Sequence, residues 1–308
     1  MLQRRHLLLD GLRVSFLEKG TAAVGEQSLV LLHGLMGSAE TFRPLLESLP
    51  EGVHAIAVDF PGSGESERRN GLDATMGATA EVVVRLLDEL GLDRPCLMGH
   101  SHGAAIALRV GRTRPEMLRS LVLVAPAHPY FSESDPVIRF YLSMPGRLFA
   151  YSMPWYPQWV QMIGLRRMAG PKSWDTPSRL KPYRENLRKP GTISHLLRLL
   201  RTWHADMAEL RKLMRKPVTL ATLMLWGDAD KAVPVHSAKE LRAHIERSEL
   251  VVLPGVGHRP AEERAELTAE IVGQWMQRAD LTPAYKPNVS VSHDRIAAFM
   301  SPSFEGGD

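Results

Sequence analysis

The residues Gly99-His100-Ser101-His102-Gly103 are the part of this chain best suited to chemistry. They follow an apolar run, Cys96-Leu97-Met98, and precede an Ala-rich stretch, Ala104-Ala105-Ile106-Ala107-Leu108-Arg109-Val110. The run reads as a buried strand and the stretch as a helix. A serine on a sharp strand-to-helix turn has its Oγ exposed, and small flanking residues let the backbone make the turn. The pentapeptide by itself is a weak signal, so the strand before it and the helix after it carry the weight. The helix N-terminus favours negative charge beside Ser101, where an oxyanion would be stabilised.

A nucleophilic serine needs a base, and the base needs an acid to orient it. The chain has 12 histidines, so position rather than composition must choose. Residues 250–253 read as a strand, followed by Pro254-Gly255-Val256-Gly257-His258 and then a helix from about residue 262. His258 therefore lies on a Gly-rich loop at the carboxyl end of a strand, the edge where open parallel sheets form their sites. A second strand, residues 220–225, runs into Trp226-Gly227-Asp228-Ala229-Asp230. Asp228 and Asp230 both qualify as the acid on this reading. The chain order is Ser, Asp, His, the order of serine hydrolases on this type of sheet.

These loops resemble the α/β-hydrolase superfamily over about residues 10–278. His33-Gly34-Leu35-Met36-Gly37-Ser38 is similar to its oxyanion loop. Asp59-Phe60-Pro61-Gly62-Ser63-Gly64-Glu65-Ser66 is similar to the loop after its fourth strand, and residues 99–103 to its nucleophile elbow. Residues 226–234 and Gly257-His258 look like its acid and base loops. The family pattern Trp-Gly-x-x-Asp-x-x-x-Pro puts the acid on Asp230, which leaves Asp228 as a loop-stabilising residue. The resemblance assigns the oxyanion hole to the backbone N–H groups of Leu35 and His102. His102 departs from the Met, Leu or Gln more usual after the serine; its side chain reads as a spacer near the pocket rather than as a donor to a substrate carbonyl, which stays open.

The resemblance implies an α/β fold, a mostly parallel sheet flanked by helices, with an inserted helical lid. It implies a carboxylic ester hydrolase in which Ser101 attacks, His258 moves the proton and Asp230 orients the imidazole. A serine at the elbow argues against the superfamily's epoxide hydrolases and haloalkane dehalogenases, which use Asp there. Carbon–carbon bond hydrolases, amidases, thioesterases and acyltransferases share the triad and stay open. So does a non-catalytic receptor or scaffold, because fold alone does not imply function.

The elements that must position these residues are legible. Strands are expected at residues 29–32, 54–58, 96–98, 121–124, 220–225 and 250–253. Helices are expected at about 39–49, 78–90, 104–113, 237–245 and 262–276. Alternating strands and helices imply a parallel sheet covered on both faces. Asp10-Gly11 between Leu7-Leu8-Leu9 and Val14-Ser15-Phe16 reads as a hairpin turn. Residues 127–217 break the rhythm with ten prolines and no clear strand, so a helical lid is expected there. Residues 1–126 and 218–279 then form the hydrolase core, and 280–308 a C-terminal extension. The run Phe140, Tyr141, Met144, Phe149, Tyr151, Met153, Trp155, Trp159 and Met162 reads as lid core, a few of its members lining an apolar acyl pocket.

Charge and composition set further bounds. Residues 161–217 carry fourteen Arg and Lys against four Asp and Glu, which makes the lid +10 in a chain of net +4. Such a lid can steer anionic substrates or touch an anionic surface, or simply be solvated. No nucleic-acid motif is present, and no run reaches the length of a membrane span. One cysteine, Cys96, excludes an intrachain disulfide framework. His33 and Asp59 lack the clustered spacing of metal ligands, so neither a metal nor an organic cofactor is expected. The expected partner is a small-molecule ester with an apolar acyl part, with no stable membrane insertion and a cytoplasmic location. Oligomerisation would use the lid or the tail.

Overall fold

Short, fully apolar strands dictate a sheet buried on both faces, and this is what the chain builds. The structure is a computed structural model that describes residues 1–21, 27–131, 135–166 and 177–278. The expected C-terminal extension, 280–308, lies outside the described residues. The strands are β1 (Leu2–Leu9), β2 (Leu12–Lys19), β3 (Ser28–Leu32), β4 (His54–Val58), β5 (Cys96–His100), β6 (Ser120–Val124), β7 (Ala221–Gly227) and β8 (Ser248–Leu253). They form one sheet in the order β1-β2-β4-β3-β5-β6-β7-β8. β4, β3, β5, β6, β7 and β8 run parallel, whereas β2 pairs antiparallel with β1 and with β4. Every residue of β3, β4 and β6 is buried.

The hairpin turn forms at Asp10 (φ 48°) and Gly11 (φ 76°). Positive φ at both positions gives the turn a twist that matches the strands it joins.

Helices α1 (Arg43–Ser48), α2 (Met76–Glu89) and α3 (His102–Thr113) cover the first half of the sheet. Five more lie between β6 and β7: α4 (Asp135–Leu142), α5 (Met144–Ser152), α6 (Gln158–Arg166), α7 (Pro177–Arg188) and α8 (Thr192–Leu213). The chain closes with α9 (Ala238–Arg242), α10 (Pro260–Glu263) and α11 (Ala265–Arg278). Two expected helices are interrupted. A 3₁₀ turn at Ala39–Phe42 precedes α1, where Pro44 sits in the first turn. Arg264 (φ −141°, ψ 59°) separates α10 from α11. The helix expected over 237–245 shortens to α9.

The sheet divides the core into two layers. Val30, Leu32, Leu97, Ile106 and Trp226 fill one, and Leu29, Leu31, Met98, Leu225 and Val272 the other. A third cluster, Ile138, Ala150, Leu187, Ile193, Leu197 and Leu200, holds the helical insert together and packs on Leu35 and Met36. The aromatic run does not form the centre of the insert as expected. Met162 is buried and Tyr141, Phe149 and Met153 are half-buried, but Phe140, Met144, Tyr151, Trp155 and Trp159 are exposed. Short helices spread over a core have one inward face each, and these side chains lie on the other.

Candidate active site

Ser101 takes φ 53° and ψ −115° between β5 and α3. Non-glycine residues avoid this region, which costs about 1–3 kcal/mol and persists only where the surroundings enforce it. Those surroundings are visible. The Ser101 amide donates to Val124 O at 2.9 Å, and Ser101 O accepts from Ala104, Ala105 and Ala127 N–H. A Cβ on Gly103 would stand 2.2 Å from Leu32 O, so α3 can start this close to β3 only with glycine there.

His258 and Asp230 meet the serine. Ser101 Oγ donates to His258 Nε2 at 3.1 Å, and His258 Nδ1 donates to Asp230 Oδ2 at 2.8 Å. The other Asp230 oxygen accepts from the amides of Ala232 (2.8 Å) and Val233 (2.9 Å), which pins the carboxylate. Asp228 is exposed and accepts from Gly255 N at 2.7 Å, which ties the loop after β7 to the loop after β8. A Cβ on Gly227 would meet Val256 O at 2.1 Å, so glycine is what lets these loops pack. The His258 loop is held from three sides. Glu263 accepts from Gly257 N (2.8 Å) and Arg259 N (3.1 Å), and His100 Nε2 donates to His258 O at 2.7 Å.

The loop after β3 flanks the serine. A Cβ on Gly34 would lie 3.2 Å from Ser101 Cβ, which puts the residues before Leu35 against the elbow. Phe60 N donates to His33 Nε2 at 3.2 Å, and His33 Nδ1 donates to Gly34 O at 2.8 Å. Burial holds the His33 pKa down, so the ring stays neutral and can accept from Phe60. Asp59, fully buried, accepts from Ala39 N (2.7 Å), Glu65 N (2.9 Å) and Arg4 Nη1 (2.7 Å). His33 and Asp59 thus brace loops. Among the described residues, no group of three or more His, Cys, Asp or Glu is placed to hold a metal. Arg4 and Glu263 carry no motif, and His100 fills a variable position of the elbow pentapeptide, so a reading of the sequence assigns them no part.

The alpha/beta hydrolase family model matches residues 29–271, which is most of the chain and includes every element of this site. The chain belongs to the alpha/beta hydrolase family. It is 29% identical to the uncharacterized hydrolase YugF of Bacillus subtilis, over 89% of this chain and 97% of that protein. The fold is shared with an epoxide hydrolase of Vigna radiata (TM-score 0.76, 20% identity, 90% of this chain and 98% of that one). It is shared equally with the serine hydrolase CarC, involved in carbazole degradation (TM-score 0.71, 19% identity, 90% and 99%).

In this hydrolase a small cavity of about 30 Å³ opens beside the loop after β3, lined by Leu35, Phe60, His102, His195, Leu196 and Leu199 among others. That is room for about two waters. The His102 ring packs 5.7 Å from Trp203 and 6.4 Å from Phe60. It forms part of the cavity wall. Burial, with His33 and His195 nearby, pushes the His102 pKa down to about 3, so the wall is uncharged.

The hydrolase buries further titratable groups. Burial pushes His128 and His195 down to about 4. Burial pushes Glu262 up to about 7, against the pull of Arg259 and of the Tyr183 hydroxyl that donates to it. Unfolded histidine titrates near about 6.5, so these rings gain protons on unfolding at lower pH. Their contribution is complete above that value and is lost as pH falls below it. Glu262 has the opposite sign, because the folded state keeps its proton up to about 7 and the unfolded state only up to about 4.5. From pH 7 to pH 5 the three histidines cost about 5 kcal/mol and Glu262 returns about 2, a net loss of about 3 kcal/mol. His33 and His100, also held low by burial, act in the histidines' direction. Urea melts at the two pH values are expected to show this loss, and His195→Gln to reduce it. A midpoint unchanged by pH would contradict the buried, neutral state of these rings.

Proposed function

We propose that this hydrolase cleaves carboxylic esters through an acyl-enzyme on Ser101. The observation that carries the reading is the unbroken hydrogen-bond chain from Ser101 Oγ through His258 to Asp230, on a turn that holds the serine at positive φ. In the forward step Ser101 Oγ bonds to the acyl carbon while its proton passes to His258 Nε2. The carbonyl oxygen becomes an oxyanion held by the amides of Leu35 and His102. The tetrahedral adduct collapses, the C–O bond to the alcohol breaks, and His258 returns its proton to the leaving oxygen. Water then attacks the acyl-enzyme by the same path. Asp230 fixes the imidazole tautomer and stabilises its charged form. The five-helix insert acts as a lid over this site.

Serine at the elbow supports ester chemistry over epoxide opening. Epoxide opening through a covalent intermediate needs an enzyme carboxylate as nucleophile, and position 101 has none. The cavity beside Leu35 and His102, at about 30 Å³, would take no more than the end of the acyl group, which favours an acetyl-sized chain. A p-nitrophenyl ester series is expected to show kcat/KM falling at least about tenfold from acetyl to decanoyl, since a chain that overfills a packed cavity forces the wall apart. A fluorophosphonate probe is expected to label Ser101. A protein that resists the probe and turns over no ester, or that cleaves amides, thioesters or diketones much faster, would overturn the reading.

A further inference from the structure

The helical insert keeps an apolar face in solvent. Met144 (73% exposed), Leu148 (64%) and Tyr151 (51%) follow one another at three- and four-residue spacing along α5, Trp155 (66%) ends the 3₁₀ turn after it, and Trp159 (69%) lies on α6 beyond the extended Tyr156. Val137 and Phe140 extend the stripe onto α4, which packs on α5 with the Phe140 and Phe149 rings 5.9 Å apart. The inward positions between them, Gly146, Ala150, Pro154 and Met162, are buried. The stripe therefore lies on the outer side of the insert, away from the side that packs on Leu35 and Met36. Isolated apolar side chains on a surface need no explanation, but a contiguous patch of large ones does.

Charge decides what fits the patch. Beyond Asp135 at the start of α4, residues 136–166 contain three arginines and no Asp or Glu, and the insert beyond is strongly basic. The Arg188 guanidinium stacks 4.9 Å over the Trp155 ring, which sets a cation at the margin of the stripe. A second copy of this chain would bring this basic rim against its own kind. Indole and phenol rings with Met and Leu beside them, cations around them and no carboxylate among them match a different surface: acyl chains beneath phosphate headgroups. Among the described residues, no helix is long and apolar enough to cross a membrane, so contact would be from one side.

We infer that the outer face of α4, α5 and the start of α6 docks on lipid bilayers that contain anionic phospholipid. This does not depend on the ester reading, because the surface lies outside the site. The test is sedimentation of the full chain with vesicles of phosphatidylcholine alone or with about a quarter phosphatidylserine, read together with tryptophan emission. Binding to the anionic vesicles with a blue shift, weakened by added salt, is the expected result. Leu148→Glu with Trp159→Glu is expected to weaken binding at least about tenfold while leaving the urea midpoint and any turnover of a soluble ester intact. Arg139→Gln with Arg147→Gln is expected to weaken binding about tenfold on anionic vesicles and little on neutral ones.

No binding by the wild type, or binding unchanged in the glutamate variant, would overturn the inference. So would a wild-type dimer that the glutamate variant converts to monomer with no vesicle binding, since the face would then be an interface between copies. Vesicle binding is read without turnover, so failure of the ester reading leaves this result standing, and the converse holds.

Discussion

Ser101→Ala is expected to lower kcat for an activated ester by at least about four orders of magnitude, with the fold unchanged. The nucleophilic oxygen is gone, and water held near His258 is a poor substitute. The remaining rate over solution would come from the oxyanion donors and substrate positioning. Stability should move little, because the Ser101 side chain makes one hydrogen bond, to His258, and the backbone at φ 53° is equally strained with alanine. Ser101→Gly, equally inactive, is expected to be the more stable of the two, since glycine relieves that strain. Stopped-flow burst kinetics and urea melts on the three proteins check both halves. A Ser101→Ala enzyme that keeps a tenth or more of its rate would place the nucleophile elsewhere.

Asp230→Asn is expected to lower kcat by about two to four orders of magnitude, and Asp228→Asn by less than about threefold. The reason is the direction of hydrogen bonds. In Asp230→Asn the new carboxamide can keep its carbonyl oxygen on the amides of Ala232 and Val233, which turns its NH₂ toward His258 Nδ1. That ring nitrogen must then accept, so the ring proton moves to Nε2, and His258 can no longer take the proton of Ser101. In Asp228→Asn the side chain still accepts from Gly255 N, and its exposed position needs no charge. Steady-state rates of both variants, with proton NMR of the ring N–H, separate a tautomer change from a folding defect. The reverse ranking would make Asp228 the acid.

Much of the site could be read before folding because its signals are local. A strand, a glycine, a serine and a small-residue helix start lie within about ten consecutive residues, and the turn they require needs no distant partner. The parallel strands were legible for a similar reason: runs such as Leu29-Val30-Leu31-Leu32 are apolar on both faces and too short for buried helices. Boundaries were less legible. Nothing local stops a helix at Arg264, where the chain turns so that Glu263 can accept from the amides of Gly257 and Arg259. The insert was the hardest to read, since its aromatic residues fit either a core or a surface until the packing of its helices is known.

By itself the sequence determined the alternation of elements, the hairpin at Asp10-Gly11, the strained serine and the candidates for its base and acid. These follow from backbone sterics and apolar patterning over a few residues. Tertiary structure decided the rest. It placed Asp230 rather than Asp228 against His258, because the curl of the loop after β7 aims one carboxylate at Gly255 and the other at His258. It set apart His258 from the other described histidines, because its ring lies between Ser101 Oγ and Asp230 Oδ2. It also decided which aromatic side chains of the insert face water. An amphipathic pattern says that a helix has two faces, but only its neighbours determine which one is covered.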